Sequence, residues 1–296
     1  MDGKKVFELE KLQSACRDWG IFQLTNHGVC SSLMKKLDMA IENFYELPSD
    51  EKMKFTPQPG NGEGYSKPIV GGEINSDYVE RFYMITSPLY TRQTHLFPKL
   101  PASLRESLEA YLVELEKLAI ALLGCLAETL KIDKEVIQKM YEKGMQSVRM
   151  NYYPPCPNPE FVTGLTSHSD GSGITILHQV DGVDGLQVKQ DGIWIPVQFL
   201  PNAFVVNLGD IFEIWSNGLY RSIEHKVTVN ENTRRISIGV FFNPKLEVEI
   251  GPADSLINHE NPPLFNTVTL DKYLKGFFSR KLGVKTYLEH MRINKF

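Results

Sequence analysis

Gly173 to Val197 reads GITILHQVDGVDGLQVKQDGIWIPV, and this stretch decides the fold. Three runs rich in β-branched and aromatic residues, Gly173 to Gln179, Gly185 to Lys189 and Ile193 to Val197, are separated by glycine and aspartate. Asp191-Gly192 falls where a tight hairpin turn joins two of them. Downstream, Ala203 to Asn207, Ser222 to Val229 and Arg235 to Phe242 have the same texture. Short strands this closely spaced predict a sandwich or jelly roll beginning after Arg149.

Upstream, from Glu8 to about Gly144, helical periodicity dominates. Ser103 and Glu106 form an S-x-x-E capping box, followed by Leu104, Leu108, Leu112, Leu115, Leu118, Leu122 and Leu126 at spacings of three and four, which predicts a long amphipathic helix. A second helix is expected from a Ser31 and Ser32 cap to Leu47, stopped by Pro48, and a third from Asp133 to just before Gly144. Gln58 to Gly72, rich in glycine and proline, reads as a mobile loop, and Tyr78 to Ile85 as a short extended segment.

With 296 residues, 42% hydrophobic and 23% charged, the chain can bury a sizeable core. A formal net charge of -4 with dispersed basic residues gives no reason to expect a nucleic-acid or anionic-membrane partner. Cys16, Cys30, Cys125 and Cys156 form no C-x-x-C pair, so reduced thiols and a cytoplasmic location are expected. Neither a signal-peptide pattern nor an apolar run long enough to span a bilayer is present.

Chemistry concentrates in a sparse polar set. His168 and Asp170 are two apart, so on a strand both face one side; His225 supplies a third corner. Two histidines and a carboxylate are what a non-haem Fe(II) centre needs when it keeps positions open. Arg235 and Ser237, also two apart, suit a carboxylate-bearing molecule. Each has a bland counterpart: an H-x-D triplet is more often a surface pair, and Arg235 alone reads as a surface cation closing a hairpin. Among the other histidines, His27 reads as a structural turn residue and His178 as a satisfied core histidine, with His95, His259 and His290 solvated.

The surrounding words change the balance. Arg149-Met150-Asn151-Tyr152-Tyr153-Pro154-Pro155-Cys156-Pro157, Gly164-Leu165-Thr166-Ser167-His168-Ser169-Asp170, Val206-Asn207-Leu208-Gly209-Asp210, Trp215-Ser216-Asn217-Gly218, Ser222-Ile223-Glu224-His225-Lys226 and Arg235-Ile236-Ser237 stand in this order. Together with Asp18-Trp19-Gly20-Ile21-Phe22-Gln23 and Asn26-His27-Gly28-Val29, they resemble the plant 2-oxoglutarate and Fe(II)-dependent dioxygenase family along essentially the whole chain, most of all its specialised-metabolism hydroxylases and O-demethylases.

The resemblance implies an α+β fold: a double-stranded β-helix (jelly roll) core over residues 146–250, a mainly helical N-terminal region over 1–145 and a C-terminal helical region over 251–296, together one catalytic unit. It implies His168, Asp170 and His225 as iron ligands, Arg235 and Ser237 as the holders of the distal carboxylate of 2-oxoglutarate, and Tyr153 and Asn151 near the same cosubstrate. It also implies O2 as the oxidant and ascorbate as the reductant. A small aromatic alkaloid or flavonoid is the expected substrate, hydroxylated or O-demethylated with release of succinate and CO2, by a monomer or weak homo-oligomer. Phe241 aligns with a position that lines the substrate pocket, and Phe82 or Tyr83 is expected to face it; core packing is the competing reading.

Two departures stand out. Ser76-Asp77-Tyr78-Val79-Glu80 replaces the Leu-Asp-Trp of many relatives, so the pocket entrance is expected to differ. A strand that relatives carry before the first helix is missing, which predicts an unpaired sheet edge, exposed apolar surface and, at worst, a catalytically weak binding protein. An oxidase that works without 2-oxoglutarate shares the same five residues and is the other alternative. A zinc hydrolase is disfavoured by the lack of H-E-x-x-H.

Overall fold

The computed structural model describes residues 3–68, 77–279 and 286–293. The first half runs α1 (Gly3–Asp18), β1 (Ile21–Leu24), α2 (Ser31–Glu46), α3 (Ser49–Met53), β2 (Gly64–Ser66), β3 (Glu80–Ser87), α4 (Ala102–Thr129) and α5 (Lys134–Tyr141). Then come β4 (Gln146–Tyr153), β5 (Thr163–His168), β6 (Ile174–Gln179), β7 (Leu186–Gln190), β8 (Ile193–Pro196), β9 (Phe204–Leu208), α6 (Asp210–Trp215), β10 (His225–Thr228) and β11 (Arg235–Phe242). The chain closes with β12 (Glu249–Ile250), β13 (Val268–Thr269), α7 (Leu270–Ser279) and α8 (Thr286–Met291).

The strands form a seven-stranded antiparallel sheet in the order β1-β9-β6-β11-β4-β3-β2 and a four-stranded sheet in the order β5-β10-β7-β8. They pack face to face through Tyr153 and Val205 of the larger sheet and Leu165, Leu186 and Val227 of the smaller one, which is the jelly roll. The other face of the larger sheet is covered by α2 and α4, whose buried residues recur every three or four positions (Leu37, Ile41, Phe44; Leu108, Leu112, Leu115) against Met150, Ile236 and Ile238. Period-two alternation therefore divides each central strand. On β11, Ile236, Ile238 and Val240 face the helices, and Arg235, Ser237, Gly239 and Phe241 face the inter-sheet cavity.

Asp191 and Gly192 have φ of 51° and 82°, the left-handed pair a two-residue hairpin turn requires. Asp133 caps α5 as expected, its Oδ1 accepting the Glu135 N–H at 3.0 Å. The other two caps do not form. Pro101 precedes α4, and its fixed φ starts the helix at Ala102, so Ser103 already lies inside the first turn with helical backbone. Likewise Cys30 occupies the cap of α2 without a side-chain bond, and Ser31 is the first helical residue.

The stretch from Gln58 is also more ordered than its glycines suggest: Gly64–Ser66 is β2, paired with Arg81 to Tyr83 of β3. Gly64 has φ of +135°, and a Cβ there would lie 2.5 Å from the Phe55 carbonyl oxygen, so this glycine serves a close backbone approach. Residues 69–72 of that stretch lie outside the described residues. At the other edge of the sheet β1 pairs with β9 alone among the described residues. Phe7 and Trp19 are 54% and 40% exposed.

A candidate iron and 2-oxoglutarate centre

The metal residues meet because β5 and β10 pair antiparallel with His168 directly opposite His225. Asp170 lies just past the end of β5, where its carbonyl oxygen accepts the Asp210 N–H at 2.8 Å. Asp170 Oδ1 is 3.6 Å from His168 Nε2 and 3.7 Å from His225 Nε2, and the three potential ligand atoms all lie within 4.8 Å of one another. That spacing brackets one ion held by two imidazoles and one carboxylate.

The remaining atom of each ligand is engaged. His168 Nδ1 bonds the Thr166 carbonyl oxygen at 2.7 Å and His225 Nδ1 that of Ile223 at 3.2 Å, which places the proton on Nδ1 and turns the Nε2 lone pair toward the metal. Asp170 Oδ2 accepts from Thr175 Oγ1 at 2.6 Å and Asn207 Nδ2 at 2.8 Å, leaving Oδ1 to coordinate. Burial, then the neighbouring His225, pushes the His168 pKa down to about 3, so the imidazole is neutral and ready to ligate. Burial opposes ionisation of Asp170, but His225, His168 and the two hydrogen bonds outweigh it and hold its pKa below the ordinary value.

Arg235 is 2% exposed, so it is not a surface cation. Its Nε donates to the Val183 carbonyl at 3.2 Å and Nη1 to Ser237 Oγ at 3.3 Å, and the guanidinium lies 5.2 Å from the Tyr153 ring centroid. Nη2 is buried with no protein acceptor, as is Asn151 Oδ1 with no donor. An orphaned guanidinium nitrogen beside a hydroxyl fits a carboxylate. Gly185 makes room for this arm, since a Cβ there would stand 3.0 Å from Arg235 Cδ.

Both centres open on one cavity of about 530 Å3. Tyr83 and Phe241 line it. Phe82 does not: it is fully buried and stacked on Phe44 at 5.2 Å, because neighbouring residues on β3 point to opposite faces. Leu274, Phe277 and Phe278 of α7 close another side. Sequence reasoning passed over Arg149, Thr175 and Asn207. The signal for Asn207 was a polar residue inside the apolar run of β9. His178 is buried and bonded to Asp38 Oδ1 at 2.7 Å, and His27 bonds the Asn202 carbonyl at 3.1 Å, both structural. His95, expected in solvent, is half-buried instead, on the short segment between two 3-10 turns.

Comparison with known proteins agrees with this geometry. The profile of the 2OG-Fe(II) oxygenase superfamily matches residues 144–244, and that of the non-haem dioxygenase in morphine synthesis N-terminal region matches residues 2–102. The chain is 49% identical over 287 residues to oxoglutarate-dependent flavonoid 7-O-demethylase 1 of Ocimum basilicum, covering 97% of this chain and 77% of the relative. The chain belongs to the 2OG-Fe(II) oxygenase superfamily. This oxygenase is also 47% identical to codeine O-demethylase of Papaver somniferum, over 97% of its own length and 80% of that protein's. Its fold superposes on the crystal structure of JOX2 in complex with 2OG, Fe, and JA with a TM-score of 0.91 at 35% identity, covering 99% of this chain and 88% of that one. The protein is a 2-oxoglutarate-dependent dioxygenase, and neither the 2-oxoglutarate-independent oxidase nor the weak binding relative is favoured.

Proposed function

We propose that this dioxygenase O-demethylates, or hydroxylates, a small aromatic specialised metabolite of the flavonoid or alkaloid kind. The observation that carries the reading is a single cavity in which the triad and the orphaned Arg235 Nη2 share space with Tyr83, Phe241, Phe277 and Phe278. The O-demethylase relatives support the same outcome. For a methyl ether the balance is R–O–CH3 + 2-oxoglutarate + O2 → R–OH + formaldehyde + succinate + CO2. When bound, iron and 2-oxoglutarate supply the activation of O2.

The chain's own residues bind, orient and exclude water. His168, Asp170 and His225 would hold the ion with their second atoms locked to Thr166, Thr175, Asn207 and Ile223. Arg235 and Ser237 would fix the distal carboxylate, with Tyr153 and Asn151 beside them. The aromatic walls would stack a flat ring, worth about 0.5–1.5 kcal/mol per pair beyond its buried area.

Residues 146–250 act in this reading as the catalytic core, with 1–145 and 251–296 completing one unit. The four free cysteines favour a reducing, cytoplasmic setting, and no described helix is long and apolar enough to cross a membrane. A monomer or weak homo-oligomer is proposed. The test incubates purified protein with Fe(II), ascorbate, 2-oxoglutarate and a panel of methoxylated and unmethylated plant aromatics. Loss of one methyl with stoichiometric formaldehyde marks demethylation, and gain of one oxygen marks hydroxylation. Succinate formation that no aromatic compound stimulates sinks the substrate class.

A further inference from the structure

Arg149 is a long polar side chain on the cavity wall that the reading above leaves idle. It sits on β4, whose inward residues are Ser147, Arg149, Asn151 and Tyr153. Its Nε and Nη2 are buried without an acceptor, and its guanidinium has no hydrogen bond or ion pair among the described residues. Two cross-strand neighbours define its place. Tyr83 lies opposite on β3 and Gly239 opposite on β11, so one side offers an aromatic ring and the other no side chain at all. The Tyr153–Arg235 row is four residues along the strand, about 13 Å away at 3.3 Å per residue. Arg149 therefore stands on a different row of the sheet from the residues expected to hold the distal carboxylate of 2-oxoglutarate, although its charge still reaches Tyr153 and His168.

Charge points the same way. Among the described residues, the cavity is lined by Arg81, Arg149 and Arg235 but by one acid, Asp170. When bound, iron(II) would cancel the two carboxylates of 2-oxoglutarate, and Arg235 would balance Asp170. Arg149 is then left without a neutralising acid among the described residues, whereas Arg81 feels the Asp77 carboxylate. Arg81, at the exposed mouth, gives its Nε to Ser66 Oγ at 3.0 Å, and its pKa is lowered by burial of its charged end and then by Arg149. The acids outside the lining are engaged with backbone: Asp77 Oδ1 accepts the Thr166 N–H and Glu63 Oε2 the Ile85 N–H, each at 2.7 Å. Arg149 is partly buried, and its two enclosed nitrogens, Nε and Nη2, are costly to leave without acceptors in a finished site.

We propose that Arg149 receives an ionised oxygen of the substrate, so that the molecule oxidised is an aromatic bearing a carboxylate or an acidic phenol, seated between Tyr83 and the open side at Gly239. The proposal rests on the dioxygenase reading and narrows its substrate class. It places the anionic group on the larger sheet, across the cavity from His168 and His225 on the smaller one. The oxidisable end of the ring then points to the metal.

The test uses the anaerobic Fe(II) and 2-oxoglutarate complex and reads binding by calorimetry. Two matched pairs serve as probes: 4-methoxycinnamate with its methyl ester, and 4-nitrophenolate with 4-nitroanisole. The anion of at least one pair is expected to bind about tenfold tighter than its neutral partner, the factor that ~1.4 kcal/mol produces. The pair that shows the preference tells a carboxylate from a phenolate. Arg149→Gln should erase the preference while leaving neutral-probe and 2-oxoglutarate affinities within about twofold, and Arg149→Lys should restore part of it. The proposal is overturned if neither anion is preferred, if the preference survives in Arg149→Gln, or if that variant weakens 2-oxoglutarate instead. A wild-type protein that makes no succinate from 2-oxoglutarate with Fe(II) contradicts the dioxygenase reading, and the binding comparison is scored independently of it.

Discussion

The metal end and the substrate end of the one cavity are built on opposite rules. At the metal end every atom of His168, Asp170 and His225 that does not face the ion has a protein partner, through Thr166, Ile223, Thr175 and Asn207. At the other end Arg149 carries buried nitrogens without acceptors, and the lining is aromatic. An ion has one size and geometry, so the protein fixes its ligands in advance. A larger organic molecule brings its own hydrogen-bonding groups, and the wall is left incomplete until it arrives. An unsatisfied group thus marks where an occupant is expected, and a satisfied one marks preorganisation.

The largest test of this contrast is at the metal end. Asp170→Ala should reduce succinate formation to background and abolish tight Fe(II) binding; retained turnover would break the triad. Arg235→Ala should raise the 2-oxoglutarate KM by roughly 10- to 100-fold, for the loss of charge-assisted hydrogen bonds worth about 1.5–3 kcal/mol, with Fe(II) affinity largely kept. Steady-state kinetics at varied 2-oxoglutarate, alongside metal titration, separates the two effects. Asn207→Ala removes one of the two bonds that orient Asp170, and should weaken Fe(II) binding by about tenfold or somewhat more. An unchanged metal titration there would mean that Thr175 alone suffices.

Neighbours on β3 sharpen the comparison further. Phe82→Ala should lower unfolding stability by ~3–5 kcal/mol in denaturant titrations, since it empties a stacked core site. Tyr83→Ala should cost far less stability and act on substrate affinity. The smallest effect lies away from the cavity. Burial pushes the Cys16 thiol up to about 12 from its ordinary 9.0. A raised folded-state pKa gives stability that is full below pH 9 and is lost as pH rises toward 12. Denaturant midpoints at pH 7 and 10 should therefore fall less in Cys16→Ala than in the wild type.

How much was legible beforehand follows from the range of each interaction. Most strand runs, the Asp191-Gly192 turn and the Asp133 cap depend on nearby residues and appear where they were read, although the Ser222 to Val229 run is a strand only over His225–Thr228 and β4 and β5 were not read as strands. Ser103-Glu106 has the local signature of a cap but loses to Pro101, which starts the helix earlier. The Gln58 to Gly72 stretch differs for another reason: the order at Gly64 comes from contacts made on folding, with the Tyr65 N–H bonded to the Phe55 carbonyl at 2.7 Å and β2 paired with β3. At the site, period-two spacing puts Arg235 and Ser237 on one face of β11, whereas Asp170 reaches the metal from just past the end of β5 rather than from the strand itself. Nothing local tells that Phe82 faces the helices and Tyr83 the cavity, because alternation fixes only that they differ.

The sequence by itself determined the metal and cosubstrate residue types, the β-rich second half and, through ordered motifs, the superfamily. Only the tertiary structure decided that β5 and β10 pair with His168 opposite His225, that Thr175 and Asn207 lock Asp170, and that Arg149 faces the cavity with no partner. The physical reason is sequence distance. Identity and period-two spacing are carried by the chain locally, whereas sheet register, burial and the satisfaction of a buried polar group depend on segments tens of residues apart being brought together.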